Sequence, residues 1–409
     1  MTSTTFRPGS LHRLWRLLPA QGRRRLASDV AAMLAPKIDP GLPPVRAGLA
    51  VVGEISRYSG LGEAARLFLR GLEYLHIANW SMDISGHLPA ASGGTAVGPC
   101  AEPPPGVPLL FHVNAPMLPL VMLRLPRRLP RGRRVIGYWL WELPRVPPSW
   151  RRGTRFVHEV WVPSPFIAAA IEPLLPGRVH VVPFPLAIAA SEPLDLGRLA
   201  FGLPADAVIV LVSMNLASSL ARKNPLGAIE AFRAAFGERP DRILVLKIAN
   251  PDHHPADFAL IATAAGGAPN IRIDTQLYPA GVAHALTATV DIVLSLHHSE
   301  GFGLVPAEAM LLGKPVVATG WSGNMTYMDA NSAALVDFRL VEAKDPRQVY
   351  YGSNWAEPDL ESAIFQLRQL ADDAAERTAL GLRGKQYALD RLGAGPLAAA
   401  VARLGLEPG

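Results

Sequence analysis

Residues 300–308 carry a pattern of residue types that suits a definite chemistry. Glu300 and Glu308 enclose a Gly-Phe-Gly turn, which follows a strand-like apolar run at 291–296 and leads into a helix-like run at 306–313. Glycines let a backbone approach a phosphate closely, and the first N–H groups of a helix favour bound anions. Carboxylates beside such an anion can accept hydrogen bonds from the hydroxyls of a sugar and of a ribose. The pattern therefore predicts a sugar-nucleotide site.

A second buried strand is predicted at residues 314–319, directly after the helix-like run. Residues 291–319 then form one β-α-β unit, in which a ligand lies at the carboxyl end of the first strand. A solvated helix is the alternative, because the helix dipole alone favours acidic residues near an N-terminus. The Gly-Phe-Gly turn and the two flanking strands favour the ligand site.

Two adjacent cations, Arg222 and Lys223, lie in a predicted loop at residues 214–225, after a strand-like run at 208–213. Lysine is scarce in this chain, with 6 lysines against 34 arginines, which favours a specific role for Lys223. Two cations beside a diphosphate would offset the charge that grows as it departs, a role that metal ions play in other enzymes. An ordinary basic pair on the surface is the alternative.

The segment at 300–308 resembles the donor-binding signature of the family 4 retaining glycosyltransferases of group 1. The segment at 208–225 resembles that family's Arg/Lys-containing loop after the first strand of the donor domain. That family has the GT-B fold, an α/β architecture in which two Rossmann-like domains face each other across a cleft. The resemblance implies that Glu300 binds the donor sugar and that Glu308 binds the ribose. It makes Arg222, Lys223 and Glu300 candidate catalytic residues. It also assigns the turn and the helix start to donor binding: Gly301, Phe302, Gly303 and Leu304.

A glycine-containing loop follows the first predicted strand, residues 49–53. Gly60 and Gly62 before Ala65 fit a Gly-x-Gly-x-x-Ala dinucleotide fingerprint, and Asp83 stands where a ribose-binding acid would. In that fingerprint the first glycine turns directly off the strand, whereas several residues intervene here. The segment also resembles the first loop of family 4 transferases, under the donor phosphates. This interpretation assigns Gly60 and Gly62 to donor binding.

Residues 137–144, Gly-Tyr-Trp-Leu-Trp-Glu-Leu-Pro, resemble a bacterial subgroup that acts in cell-surface polysaccharide assembly. Many family members carry a histidine near the end of this strand, and this chain has none there, so Glu142 becomes a candidate catalytic residue. Trp139 and Trp141 are candidates for stacking on a sugar, with burial between domains as the alternative. His112 is a candidate acceptor contact, with a satisfied buried histidine as the alternative.

Length and composition fit two domains of ordinary size, since the chain has 409 residues, of which 49% are hydrophobic. We predict the following organisation: a basic N-terminal extension (1–46), an N-terminal Rossmann-like acceptor domain (47–185), a linker (186–204), a C-terminal Rossmann-like donor domain (205–385) and a C-terminal helix that packs back on the N-terminal domain (386–409).

The sequence also argues against several classes of protein. The single cysteine, Cys100, excludes an internal disulfide and a cysteine-cluster metal site. No apolar run approaches the roughly 20 residues of a membrane span. The first residues lack the charged start and apolar core of a secretory signal. We therefore expect a cytoplasmic protein.

The net charge of +6 is unevenly distributed along the chain. Arginines cluster in residues 11–25 and again in residues 124–155, where Glu142 is the only acid. A basic segment with Trp and Leu on one face suits an anionic surface, which makes the inner face of the cell membrane a candidate partner. No nucleic-acid-binding motif accompanies the arginines, so nucleic acid is not expected. A solvated basic surface without a partner is the alternative.

The resemblance implies a retaining hexosyltransferase. Such an enzyme moves a sugar from a nucleotide-sugar donor to a saccharide or lipid-linked acceptor, in polysaccharide or glycoconjugate biosynthesis, with no metal and no cofactor. Three alternatives remain open. They are a sugar-nucleotide epimerase of the same fold, a nicotinamide-dependent dehydrogenase that uses Gly60, Gly62 and Asp83, and a non-catalytic nucleotide-binding protein.

Overall fold

The structure is a computed structural model, and it describes residues 28–57, 59–87, 102–189, 192–347, 349–350 and 352–407. Within these residues strands alternate with helices, and the strands form two six-stranded sheets and one hairpin. The α/β expectation is therefore confirmed.

The first sheet is built from short apolar strands. Its strands are β1 (Leu49–Gly53), β2 (Asn79–Asp83), β3 (Leu109–His112), β4 (Val135–Tyr138), β5 (Glu159–Val162) and β6 (Val179–Val181). They are arranged in the order β2-β1-β3-β4-β5-β6. The central strands pair in parallel, with Gly53 opposite Asp83 on one side and His112 on the other. All residues of β1 and β3 are buried, as expected for parallel strands covered on both faces.

All neighbouring strands of the second sheet pair in parallel. Its strands are β7 (Val208–Asn215), β8 (Arg242–Ala249), β9 (Ile271–Asp274), β10 (Ile292–Ser295), β11 (Val316–Thr319) and β12 (Ala334–Val336). Their order is β12-β11-β10-β7-β8-β9. Strands β7, β8 and β9 follow one another in one direction across the sheet, and β10, β11 and β12 follow one another in the opposite direction. The boundary between β7 and β10 is thus the topological switch point, where ligands of parallel sheets bind at the carboxyl ends.

An antiparallel hairpin follows the second sheet. Its strands are β13 (Phe338–Glu342) and β14 (Asn354–Pro358), and they pair from Phe338 opposite Pro358 to Glu342 opposite Asn354. No expectation from the sequence included this hairpin.

The helices connect and cover the strands. They are α1 (Gly60–Tyr74), α2 (Leu118–Arg124), α3 (Pro165–Ile171), α4 (Leu186–Ala189), α5 (Leu220–Lys223), α6 (Pro225–Phe236), α7 (Pro255–Ala265), α8 (Ala280–Thr289), α9 (Leu304–Leu311), α10 (Leu360–Asp372), α11 (Ala374–Leu392) and α12 (Ala394–Arg403). In the second sheet, α6 and α10 contribute Ile229, Phe232 and Leu367 to a core that also contains the inner residues of β7 and β8. Burial of such side chains contributes roughly 1.5–3 kcal/mol each.

The predicted loop at 214–225 is shorter in the structure than expected. Met214 and Asn215 continue β7, and Leu220–Lys223 form the single helical turn α5. Asn224 ends that turn in a left-handed conformation (φ 48°), and its side chain accepts a hydrogen bond from Gly227 N at the start of α6. Asn tolerates this conformation and caps helices well, so one residue ends α5 and starts α6.

The described residues fall into two compact units. The first unit takes its residues from Met1–Ala65, Asn79–Trp139 and Pro147–Val160, and the second from Arg66–Ala78, Leu140–Val146 and Trp161–Gly409. The short segment Leu140–Val146 thus clusters with the second unit. Trp141 and Glu142 belong to the same unit as Arg222 and Glu300 for this reason.

Candidate functional site

A buried carboxylate between two cations marks the switch point of the second sheet. Arg222 and Lys223 lie on α5, just after β7, while Glu300 lies on the segment that follows β10. Glu300 Oε2 is 2.9 Å from Arg222 Nη1, and Glu300 Oε1 is 2.5 Å from Lys223 Nζ. The structure therefore brings together three of the predicted catalytic residues.

Arg222 is held on all sides by protein groups. Its Nη1 donates to Ser299 O (2.8 Å), its Nη2 to Ser218 Oγ (2.8 Å) and its Nε to Tyr350 Oη (3.2 Å). Burial on its own would lower the pKa of Arg222, but the negative charge of Glu300 raises it above the ordinary value. Arg222 is thus a permanently charged, fixed side chain.

Glu300 is ionised at neutral pH despite its burial. Burial alone would raise its pKa, but the charges of Arg222 and Lys223 lower that pKa to about 2. The two cations differ in their access to solvent, since 25% of the Lys223 side chain is exposed and 5% of the Arg222 side chain is. A ligand that approaches from solvent therefore meets the ammonium of Lys223 more readily.

This ion pair should make the unfolding free energy depend on pH. The pKa of Glu300, about 2 when folded, lies below its ordinary value of 4.5. Its stabilising contribution is therefore present above about pH 4.5 and is lost as the pH falls toward 2, with a magnitude on the order of 3 kcal/mol. Urea unfolding at pH 7, 4 and 3 should show a smaller loss in Glu300→Gln than in the wild type. Equal losses in the two proteins would contradict the assignment.

The backbone from Gly301 to Leu304 forms the predicted turn and helix start. A Cβ at Gly301 would lie 2.5 Å from Trp141 O, and Gly303 has a φ of +87°, so both positions require glycine. The helix α9 begins at Leu304, and the amide of Ala307 donates to Gly303 O (3.2 Å). The amides of Leu304 and Val305 precede that bond and have no partner within the helix, which suits an anion.

The loop after β11 supports this turn. Ser322 Oγ accepts a hydrogen bond from Glu300 N (2.9 Å), and Gly323 N donates to Glu300 O (2.8 Å). Tyr327 Oη donates to Phe302 O (2.9 Å) and lies 2.5 Å from Gly303 O. Sequence reasoning missed these residues. The signal that points to them is a Ser-Gly-Asn run beyond the strand next to β10, at the same edge of the sheet.

Glu142 and Trp141 lie beside the buried ion pair. Ser299 Oγ donates to Glu142 O, and Tyr350 Oη is 3.5 Å from Glu142 Oε2. The indole of Trp141 donates to Arg145 O (2.9 Å), and its ring centroid is 5.7 Å from that of Tyr350. The structure thus connects Glu142 to Arg222 through Tyr350.

Glu308 has surroundings different from those of Glu300. It lies in the middle of α9, and its Oε1 is 3.4 Å from His284 Nε2. Together with Leu311 and Leu312 it lines a cavity of about 390 Å³. A partly apolar cavity with a carboxylate and an imidazole can hold a group that carries hydroxyls.

The remaining predicted residues lie in the first unit. Gly62, in the first turn of α1, has no room for a Cβ, which would lie 2.5 Å from Arg57 O, whereas the position of Gly60 is open. His112 stacks on Tyr138 at 4.7 Å, and burial lowers the pKa of His112 to about 3, so it is neutral at pH 7.

Trp139 is fully buried in the same unit. Its ring packs edge-on against Trp150, with the ring centroids 5.7 Å apart. Trp139 therefore contributes to the core of the first unit, whereas Trp141 contacts Tyr350 in the second.

Part of the predicted chemistry falls on residues that the structure does not describe. The basic run at 11–25 and Cys100 lie outside the described residues. Among the described residues, no group of three His, Cys, Asp or Glu side chains is arranged to hold a metal ion. None of the described helices is both long enough and apolar enough to cross a membrane.

Comparison with known sequences places a family match on the second unit. Residues 205–345 match the family described as Glycosyl transferases group 1. A D-inositol 3-phosphate glycosyltransferase of Nocardioides sp. is 29% identical over 184 residues, which cover 42% of this chain and 39% of that relative. The chain thus spans about two fifths of the length of this curated relative.

Solved structures resemble nearly the whole chain. HepE of Anabaena in complex with UDP and glucose has a TM-score of 0.59 at 14% identity, covering 88% of this chain and 99% of that one. Sucrose-phosphate synthase of Thermosynechococcus elongatus has a TM-score of 0.60 at 16% identity, covering 88% and 98%. At these identities the likeness concerns the fold. The expected fold is thus confirmed: the chain has the GT-B fold, and its residues 205–345 match the family of group 1 glycosyl transferases.

Proposed function

We propose that the protein is a retaining, metal-independent hexosyltransferase. It transfers a sugar from a nucleotide-sugar donor to a saccharide or lipid-linked acceptor. One observation carries the proposal: an ionised, buried Glu300 between Arg222 and Lys223, immediately before the glycine turn that opens α9. A sugar with a diphosphate leaving group has the hydroxyls and the charge that this arrangement complements.

The donor would lie at the switch point of the second sheet. The diphosphate faces Lys223 and the amides of Leu304 and Val305, and the sugar hydroxyls face Glu300. The ribose binds Glu308 at the cavity of about 390 Å³. Support for a nucleotide sugar comes from HepE, which was crystallised with UDP-glucose and has the same fold.

In the reaction, the bond between the anomeric carbon and the diphosphate oxygen breaks, and its electron pair moves to that oxygen. Positive charge at Lys223 and the α9 amides stabilises the negative charge that develops there. The acceptor hydroxyl then bonds to the anomeric carbon on the face that the leaving group vacates, and its proton passes to the departing diphosphate. The anomeric configuration is retained.

The acceptor is proposed to be a saccharide or a lipid-linked saccharide, within polysaccharide or glycoconjugate biosynthesis. The basic segments at 11–25 and 124–155 suit an anionic membrane surface where such an acceptor resides. Co-sedimentation with anionic vesicles at low and at high salt tests that partner, because salt should release a chain held by charge. Binding that does not respond to salt would remove the membrane from the proposal.

A thermal-shift panel of UDP, GDP, ADP and their sugars tests the donor site. A ligand at about 100 times its dissociation constant adds roughly 2.7 kcal/mol to the unfolding free energy. We expect the nucleotides of one base to stabilise the protein. The corresponding nucleotide sugar should be consumed only when an acceptor is added. Conversion of the donor without an acceptor would indicate an epimerase, and stabilisation without turnover would indicate a binding protein.

Transfer activity is expected to survive EDTA. Lys223, the more exposed of the two cations beside Glu300, already supplies the positive charge that a divalent ion would bring to a diphosphate. The check is the initial rate before and after dialysis against the chelator. Complete loss of the rate, restored by magnesium or manganese, would overturn metal independence.

A further inference from the structure

The hairpin β13–β14 is attached to the loops that carry the buried ion pair. The ring of Trp355, on β14, stacks on His298 at 4.7 Å and 25°, and Ala356 N donates to His298 O (2.9 Å). In turn, His298 N donates to Arg222 O (2.8 Å), and the His298 Nδ1 lies close to Ala221 O at 2.6 Å. The hairpin thus holds both the segment after β10 and the helix α5.

The described residues between the two hairpin strands also make polar contacts. The carboxylate of Asp345 accepts hydrogen bonds from Arg347 N (3.3 Å) and Val349 N (2.8 Å). The guanidinium of Arg347 forms an ion pair with Asp257 and donates to Ser218 O (3.3 Å). These contacts place the next described residue, Tyr350, against Arg222.

The hydroxyl of Tyr350 stands between two charged side chains. It accepts a hydrogen bond from Arg222 Nε (3.2 Å) and is 3.5 Å from Glu142 Oε2. Its ring lies 5.7 Å from that of Trp141 and 6.4 Å from that of Trp355. Burial raises the pKa of Tyr350, so its hydroxyl keeps its proton at neutral pH and can donate to Glu142.

The hydrogen bonds of Arg222 leave it little capacity for a ligand. A guanidinium has five N–H groups. Contacts with Tyr350, Ser299, Glu300 and Ser218 account for four of them. An ammonium has three, and Lys223 Nζ is the more exposed cation with its contact to Glu300. The adjacent cations are therefore suited to different tasks.

We propose that Tyr350 is a positioning residue: together with Glu142 it fixes the Arg222 guanidinium, so that Arg222 orients Glu300 toward the donor sugar while Lys223 meets the diphosphate. This inference rests on the proposed function of the site. It assigns Glu142 to holding Tyr350, and it links the hairpin to catalysis through one hydroxyl group.

Tyr350→Phe tests the inference, because it removes the hydroxyl and keeps the ring. Turnover of the sugar-bearing donor should fall about 10-fold, the loss typical of one hydrogen bond to a charged group. The dissociation constant of free UDP, GDP or ADP, whichever binds, should stay within about twofold of wild type. A merely structural role would weaken nucleotide binding and turnover alike. Tyr387→Phe is the matched control, because its hydroxyl is hydrogen-bonded to Asp329 away from this cluster.

A double-mutant cycle with Arg222→Lys separates the contact from the chemistry. Lysine lacks the Nε donor, so in that background Tyr350→Phe should cause almost no further loss of turnover. Its loss of unfolding free energy should be smaller than in the wild type, because only the contact with Glu142 remains to be lost. Three results would each overturn the inference. They are wild-type turnover in Tyr350→Phe, parallel losses of nucleotide affinity and turnover, and a cycle that is additive in unfolding free energy. A wild-type chain that binds no nucleotide would instead overturn the donor assignment, and the unfolding cycle would still report on the tyrosine.

Discussion

Replacing Lys223 with alanine is expected to reduce turnover about 100-fold or more, an effect far larger than its effect on stability. The ammonium acts on charge that grows at the diphosphate as the glycosidic bond breaks, and one such group typically contributes a factor of this size. Glu300 keeps Arg222 as its ion-pair partner in the variant. Solvent screens the Lys223 side chain, of which 25% is exposed, so losing its ion pair with Glu300 should lower the unfolding free energy less than Glu300→Gln does. Steady-state kinetics and a melting curve on the same preparation make the measurement.

Lys37→Ala is the matched control, because Lys37 is exposed and lies in the first unit, outside the proposed site. It should behave as the wild type in both assays. If Lys223→Ala retains turnover within about twofold of wild type, Lys223 has no part in the mechanism. A fall in turnover that only follows a lower melting temperature would point to a structural role instead.

Glu300→Gln and Glu308→Gln are expected to impair different ligand interactions. Losing a charged hydrogen bond costs roughly 1.5 to 3 kcal/mol, which is about 10-fold to 150-fold in affinity. Glu308→Gln should weaken the free nucleoside diphosphate and the whole donor alike, because the ribose is common to both. Glu300→Gln should leave diphosphate binding nearly intact and harm only the binding or turnover of the sugar-bearing donor. Calorimetry with both ligands on both variants makes the comparison.

The structure adds a control to this experiment. Arg222 is buried beside Glu300, so Glu300→Gln leaves a buried charge without its carboxylate partner and should lower the melting temperature. Glu308 is only partly buried, and its variant should melt near the wild type. Glu361→Gln, in the exposed first turn of α10, should leave both ligands unaffected. Identical effects of the two site variants on free diphosphate would contradict the separate assignments.

The sheets were predictable because each buried parallel strand carries its own local signal. The apolar run at 291–296 contains β10 (Ile292–Ser295), and the predicted strand at 49–53 is β1 without change. The helix-like run at 306–313 is displaced from α9 (Leu304–Leu311) by two residues at each end. Such end effects are expected, since the residue that ends a turn depends on backbone conformation, here the left-handed Gly303.

The surroundings of Arg222 were not predictable from local pattern. Tyr350 is 128 residues away from Arg222 in sequence. The hairpin strand β13 before it is largely exposed and mixes polar with apolar residues. Nothing near Tyr350 in the sequence indicates its partner, because the contact arises only when β14 packs on His298. The clustering of residues 140–146 with the second unit is likewise a result of tertiary packing. Short sequence motifs were enough to identify the charged residues, whereas their hydrogen-bond partners arise from tertiary packing.

Residues Gly301 and Gly323 touch through their backbones, and this restricts where the site can change. A Cβ at Gly323 would lie 1.9 Å from Gly301 O, a distance that no side-chain movement can relieve. Neither of these two positions can therefore accept a residue that has a Cβ atom. Trp321 and Met325, on the same loop, are partly exposed and exposed respectively. Directed evolution toward a different sugar should consequently accumulate its changes at such rim positions, while libraries that randomise the two glycines should return almost entirely inactive chains.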